Sequence, residues 1–229
     1  MCHRLVAALA LLLAAAGVPA AAAERPRNAD PAGLAEIVQR VESACKGVQD
    51  LSAKFSQTAT NRALGQVQEA SGLFLLKRPG KMRWEYQKPE AYLIVTDGKS
   101  LWVYRPVEKE VRVQEVEQAF SSRIPISFLA GDCDLKREFD ISKVEHAGTR
   151  GSGASILDLK PKRPEGGIAR VLLEVSLKNY AIEKTTLFDA YGNTTVVAFS
   201  DLKLNGGLSD SQFAFSPPPG VTVVRPPQR

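Results

Sequence analysis

The stretch Lys81-Met82-Arg83-Trp84-Glu85-Tyr86 alternates without a fault, with methionine, tryptophan and tyrosine at even positions and charged residues at odd ones. A period of two marks a β-strand with one apolar and one polar face, whereas an amphipathic helix repeats its apolar positions every three or four residues. Just upstream, Phe74 and Leu76 sit in a run that ends in the turn Lys77-Arg78-Pro79-Gly80, and Leu51, Ala53 and Phe55 alternate before that. Downstream, residues 91–96 and 101–105 flank Asp97-Gly98-Lys99-Ser100, where Asp-Gly is a strong hairpin signal. Val111 and Val113 continue the pattern. Further strands are expected at 135–144, 155–159, 169–177, 182–188 and 194–202, with Tyr191-Gly192-Asn193 as another turn. About eleven mostly hairpin-connected strands make a large antiparallel sheet.

Two helical segments break the series. Asp30-Pro31 supplies an N-cap and a proline at the first helical position, and Leu34, Ile37, Val38, Val41 and Cys45 then fall on one helical face, with Gly47 as a stop. Between residues 115 and 131, Val116, Ala119, Phe120, Ile124, Phe128 and Leu129 fit a helical face, which Pro125 splits into two short helices. The tail around Phe213-Ala214-Phe215-Ser216-Pro217-Pro218-Pro219-Gly220-Val221 reads as a short extended piece and a proline turn, with frayed final residues. The fold class is therefore α+β, mostly β: one curved sheet with apolar-faced helices to lay on it. A curved sheet not filled by its own side chains encloses a cavity, and helices across it would form a lid. Composition alone does not force that arrangement.

Of the 229 residues, 44% are hydrophobic and 24% charged, which suits one domain. Residues 1–23 hold much of the apolar content. His3 and Arg4 precede an apolar run from Leu5 to Ala16, and Ala21-Ala22-Ala23 supplies small residues for cleavage before Glu24. That is the pattern of a secretory signal peptide, leaving residues 24–229 as a single exported, soluble domain. Cys2 precedes the apolar run, so it is not the acylated cysteine of a lipoprotein signal. The formal net charge of +5 is spread over the sequence, and with export it argues against nucleic-acid binding. An oxidising compartment permits a disulfide between the two remaining cysteines, Cys45 and Cys133, and two buried thiols are the alternative.

The run Gly72-Leu73-Phe74-Leu75-Leu76-Lys77-Arg78-Pro79, followed by Met82-Arg83-Trp84-Glu85-Tyr86 and Pro89, resembles the LolA family of periplasmic lipoprotein carriers. Residues 51–57, the hairpin of 93–104 and the segment 213–221 fit the same family in order. The resemblance implies an incomplete, half-open antiparallel β-barrel with helices as a lid over an apolar cavity. It implies a monomeric carrier without cofactor, metal or catalytic residues. The carrier would bind acylated lipoproteins released by an ATP-driven inner-membrane transporter and pass them to an outer-membrane acceptor. Phe74, Leu76, Met82, Trp84 and Tyr86 would line the cavity, and Phe120, Ile126, Phe128 and Leu129 would belong to the lid. Arg78 shares the parity of Phe74 and Leu76, and the resemblance makes it a latch that holds the empty cavity shut.

Each assignment has a plainer counterpart. An aromatic stripe is ordinarily core, a strand-end arginine ordinarily faces water, and apolar helix faces ordinarily dock on a sheet. The face of Trp102 and Tyr104 is left open. After residue 23 the only histidine is His146, in a glycine-rich turn, so an enzyme built on a Ser-His or Cys-His pair would have to use it. No metalloprotease, nucleophile-elbow or phosphate-loop motif occurs. The nearer rival is a lipid-binding or lipoprotein-sensing module of the same half-barrel architecture, with or without its own membrane-insertion activity. An exposed apolar loop would favour insertion, and none is obvious in the sequence.

Overall fold

The structure is a computed structural model, and it describes residues 33–116, 133–144, 153–163 and 167–225. The signal segment 1–23, Asp30-Pro31, His146 and the expected lid residues Phe120, Ile126, Phe128 and Leu129 lie outside the described residues.

The described chain opens with helix α1 (Leu34–Gly47) and continues as β1 (Asp50–Asn61), β2 (Gln66–Lys77), β3 (Lys81–Lys88), β4 (Tyr92–Asp97), β5 (Ser100–Arg105) and β6 (Glu110–Glu115). A single helical turn, α2 (Leu135–Glu138), precedes β7 (Phe139–Val144), β8 (Ala154–Pro161), β9 (Ile168–Ser176), β10 (Ile182–Asp189) and β11 (Thr194–Leu204). A 3-10 turn (Asp210–Phe213) and β12 (Thr222–Val224) end it. All twelve strands form one open sheet in the order β12-β6-β5-β4-β3-β2-β1-β11-β10-β9-β8-β7. Strand β1 is the spine: β2 to β6 extend as a meander from one side, and β11 back to β7 from the other. The sheet expected from alternation is present.

Three local expectations are corrected. Strand β7 begins at Phe139 rather than 135, because the Asp134 carboxylate accepts a hydrogen bond from the Arg137 N–H and caps a helical turn over Leu135–Glu138. Helix α1 is capped at Gly33 without a side-chain hydrogen bond, and Gly47 is its last helical residue rather than a left-handed stop. The sheet has a twelfth strand: β12 pairs in parallel with β6 beyond the proline turn. Residues 205–221 carry the chain from the end of β11 to that edge of the sheet.

Cross-strand register sorts the side chains onto two faces. Phe74 lies opposite Ala53 and Trp84, Leu76 opposite Leu51 and Met82, and Tyr86 opposite Tyr92, so these side chains share one face, here termed inner. Helix α1 covers the far half of that face. Its Ile37, Val38 and Val41 pack with Leu135 and Phe139, and with Leu157, Leu159, Val171, Leu173 and Val175 of β8 and β9. Burying each of the three α1 side chains contributes roughly 1.5–3 kcal/mol.

The opposite face of β3 to β6 is covered by the C-terminal crossover. Trp102 and Tyr104 lie here, in contact with Phe215 at 6.2 and 5.6 Å between ring centroids, which settles their parity. Asp210 bridges Lys77 and Lys81, both at 2.6 Å, and the Lys77 ammonium also donates to the Leu208 carbonyl. The two ammonium groups hold the Asp210 carboxyl down at about 2, below its ordinary value of 3.8. The folded state therefore favours the ionised acid. Its contribution is complete above pH 3.8 and is lost as the pH falls through about 2. Nuclear magnetic resonance shifts of residues 208–215 should report loosening of this strap in that window, and Asp210→Asn should show the same shifts at neutral pH. Identical spectra across the window would remove the clamp.

Candidate functional site

On the inner face, between the two halves of the sheet, α1 roofs a cavity of about 690 Å³, part of it open to solvent. Val41, Ala44, Cys45 and Val48 form the roof, and Leu51, Phe74 and Leu76 form one wall. Tyr180, Ala181 and Ile182 come from the β9–β10 turn, and Phe199, Leu202 and Leu204 from β11. Arg78 is the one charged side chain in this lining among the described residues. Such a wall offers dispersion and exclusion of water, and almost no hydrogen bonds.

A bulge sets the composition of the β11 wall. Ser52 pairs with Lys203 but Lys54 with Ser200, so β11 carries one extra residue there, and Asp201 takes a left-handed φ of 53°. The inserted residue reverses the alternation, so that Phe199 and then Leu202 and Leu204 all reach the cavity.

The expected lining divides in two. Phe74 and Leu76 line the cavity. Met82, Trp84 and Tyr86 do not: they stand on the same face beside it, in an apolar cluster with Phe55, Phe74 and Val197. Phe55 meets Trp84 edge-on at 4.7 Å and Tyr86 at 4.9 Å, Phe74 lies 4.4 Å from Trp84, and Tyr86 stacks on Tyr92 at 4.0 Å. Edge and offset contacts of this kind are worth about 0.5–1.5 kcal/mol each beyond area burial, so the stripe forms a stiff floor. The Tyr86 hydroxyl and Gln57 Oε1 are 3.0 Å apart, and burial pushes the phenol above its ordinary range. It is therefore a neutral donor here. Sequence reasoning misses Leu51, Phe199 and the β9–β10 turn as site residues. The alternation of β1 signals Leu51, but nothing local signals the turn.

Arg78 follows β2 and reaches across the cavity to α1. Its guanidinium donates to the Cys45 carbonyl at 2.9 Å and lies 3.0 Å from the Cys133 sulfur and 3.4 Å from that of Cys45. Burial lowers its pKa, yet a guanidinium stays charged in proteins. A disulfide joins Cys45 to Cys133, 88 residues apart in sequence. A last cluster anchors the chain where α1 enters β1. The buried Asp50 accepts from the N–H groups of Gly206 and Gly207, and Asn205 accepts from Gln49 N–H while donating to the Gly47 carbonyl. Among the described residues no group of three or more His, Cys, Asp or Glu side chains converges as a metal site would require. No described helix is long and apolar enough to cross a membrane.

Comparison with known proteins places this architecture. The family model described as "Outer membrane lipoprotein carrier protein LolA" matches residues 46–216. An outer-membrane lipoprotein carrier protein of Chromobacterium violaceum is 37% identical over 190 residues, covering 83% of this chain and 88% of the relative. One from Dechloromonas aromatica is 34% identical over the same shares of both chains. Among solved structures, an uncharacterized conserved protein of Thermus thermophilus superposes with a TM-score of 0.54 at 16% identity, covering 84% of this chain and 98% of that one. At that identity the superposition speaks to the fold alone.

Proposed function

Because the chain belongs to the LolA family of outer-membrane lipoprotein carrier proteins, we propose that it takes up the acyl chains of lipoproteins released from the inner membrane and carries them through the periplasm to the outer membrane. The observation that carries this reading is the apolar cavity on the inner face of the sheet, with a single charged side chain in its wall among the described residues. Three acyl chains exposed to water would cost tens of kcal/mol at about 0.8 kcal/mol per CH₂, so a soluble shuttle must offer an interior in place of the bilayer. The work is done by burial and release, and the carrier itself makes and breaks no bond.

On this reading residues 1–23 are a signal peptide that directs export, and residues 24–229 act as one carrier domain. An ATP-driven transporter in the inner membrane loads it, and an acceptor at the outer membrane unloads it. Phe74 and Leu76 touch cargo directly, while Met82, Trp84 and Tyr86 support the floor beneath it. Phe120, Ile126, Phe128 and Leu129 keep the lid role that the family resemblance implies. Arg78 is the latch: its bond to the Cys45 carbonyl closes the empty site, and entering acyl chains displace it.

The test is reconstitution. Inner-membrane vesicles, the transporter and ATP should release an acylated lipoprotein into a soluble one-to-one complex with the carrier. Lipoprotein that stays in the vesicles would refute the assignment. In the same assay Arg78→Leu should accept cargo but deliver roughly tenfold less to outer-membrane vesicles, the equivalent of one hydrogen bond to a charged group. Normal delivery would remove Arg78 from the mechanism.

A further inference from the structure

We propose that α1 is a fixed wall of the cavity rather than a moving part of its cover, and that the Cys45–Cys133 disulfide keeps it fixed while cargo parts Arg78 from it. The inference rests on the carrier reading and names the part that holds still when the site fills.

The inner face carries two separate apolar clusters, one on each half of the sheet, with the cavity between them. The first turns of α1 belong to one cluster through Ile37, Val38 and Val41. Phe74, Leu76 and the aromatic floor belong to the other. The last turn of α1, with Ala44 and Cys45, overhangs the cavity, and of these two only Cys45, partly buried, packs against the first cluster. Among the described residues that is light packing for a helix end over a cavity, which guest chains entering beneath it would strain upward.

Two restraints prevent that. The disulfide ties Cys45 to Cys133, which is 3% exposed and sits in the same apolar cluster as Leu135, Phe139 and the buried face of α1. The end of the helix is thereby fastened to its own half of the sheet. Asn205 then pins the chain just beyond it, donating to the Gly47 carbonyl and accepting from Gln49 N–H at 3.1 and 2.7 Å. Arg78 comes from the other half, and its bonds to Cys45 and the disulfide cross the seam between the halves. When guest chains wedge the halves apart, hydrogen bonds across the seam are the contacts that can break. The covalent bond stays within one half.

Hydrogen exchange and acyl-probe release together test this, using a fluorescent sixteen-carbon fatty acid as probe. Cys45→Ser/Cys133→Ser removes the tether while leaving polar atoms beside Arg78. Wild-type protein reduced with a phosphine is the second form; phosphine and water convert the disulfide to two thiols and the phosphine oxide. In the oxidised wild type, amides 41–48 should exchange at the same rate with and without probe. In both untethered forms they should exchange about tenfold faster when probe is bound, with β1 to β3 unchanged. Probe release should quicken about fivefold or more. Exchange of 41–48 that rises on probe binding in the oxidised protein would overturn the fixed wall, as would unchanged release without the tether. If the oxidised protein binds no acyl probe, the carrier reading fails. Equal exchange of 41–48 in tethered and untethered protein would then separately overturn the role of the disulfide.

Discussion

Replacing Gly72 with alanine should destabilise the protein by more than about 4 kcal/mol, among the largest effects of any single methyl group in it. Gly72 lies in β2 opposite Phe55 of β1 and Tyr86 of β3, on the inner face. A Cβ built there would stand 1.9 Å from the Glu85 carbonyl oxygen, 2.8 Å from its carbon and 3.0 Å from the Phe55 ring. Two of those three atoms are backbone, so no rotamer change relieves the contact. The backbone of Gly72 lies outside the left-handed region, so what it requires is room rather than conformational freedom. The β2–β3 ladder shifts register between Ser71 and Gly72, which brings the Glu85 carbonyl over the glycine, and the Phe55 ring fills the rest. Alanine must push β3 away or expel Phe55 from its contacts with Trp84 and Tyr86. Urea unfolding should show the loss, equivalent to roughly 8–16 °C in Tm for a chain of this size. Gly65→Ala is the control: it has open space and a φ of +62°, and should cost only about 1–2 kcal/mol. A Gly72→Ala protein within about 1 kcal/mol of wild type, the ordinary size of a point-mutant effect, would show that the two strands do not approach as described.

That glycine also shows how far local pattern carries. The alternation of β3 and the helical face of α1 are legible because a single element dictates each, and the strands from β1 to β11 follow from such elements in succession. Side-chain direction is harder, because parity within a strand does not say which face is inward. Trp102 and Tyr104 alternate as cleanly as Trp84 and Tyr86, yet they face the other way, under Phe215 from a crossover far along the chain. The bulge at Asp201 reverses parity within one strand, so Phe199 and Leu202 share a wall that strict alternation would have separated. Residues 135–138 hold one apolar residue, Leu135, followed by three charged ones, and a capping aspartate winds them into a helical turn before the alternation of β7 begins at Phe139. The cavity lies at the limit of sequence reading. Met82, Trp84 and Tyr86 belong to the cluster alone, whereas Phe74 and Leu76, on the neighbouring strand, are buried in that same cluster and also line the cavity.

Filling that space should abolish function without harming the fold, and Ala44→Trp is the substitution to do it. Ala44 sits in the α1 roof, half-buried, and lines the cavity. An indole there projects among Leu51, Phe74, Leu76 and Phe199, all apolar, and the partly open cavity gives it somewhere to go. Alanine and tryptophan differ by only a fraction of a kcal/mol in helix propensity, and burying the ring against an apolar wall offsets that. Stability should therefore hold or rise. Cargo loses what the indole takes. If the ring displaces about four methylenes of acyl chain at about 0.8 kcal/mol each, binding weakens by about 3 kcal/mol, roughly a hundredfold. Fluorescent fatty-acid titration would measure that loss, and urea unfolding of the same sample would separate it from misfolding. Ala44→Leu should fall between the two because it blocks less of the space. A tryptophan variant that folds normally and binds acyl chains as tightly as wild type would mean that cargo lies elsewhere on the sheet, and the cavity beneath α1 would lose its part in transport.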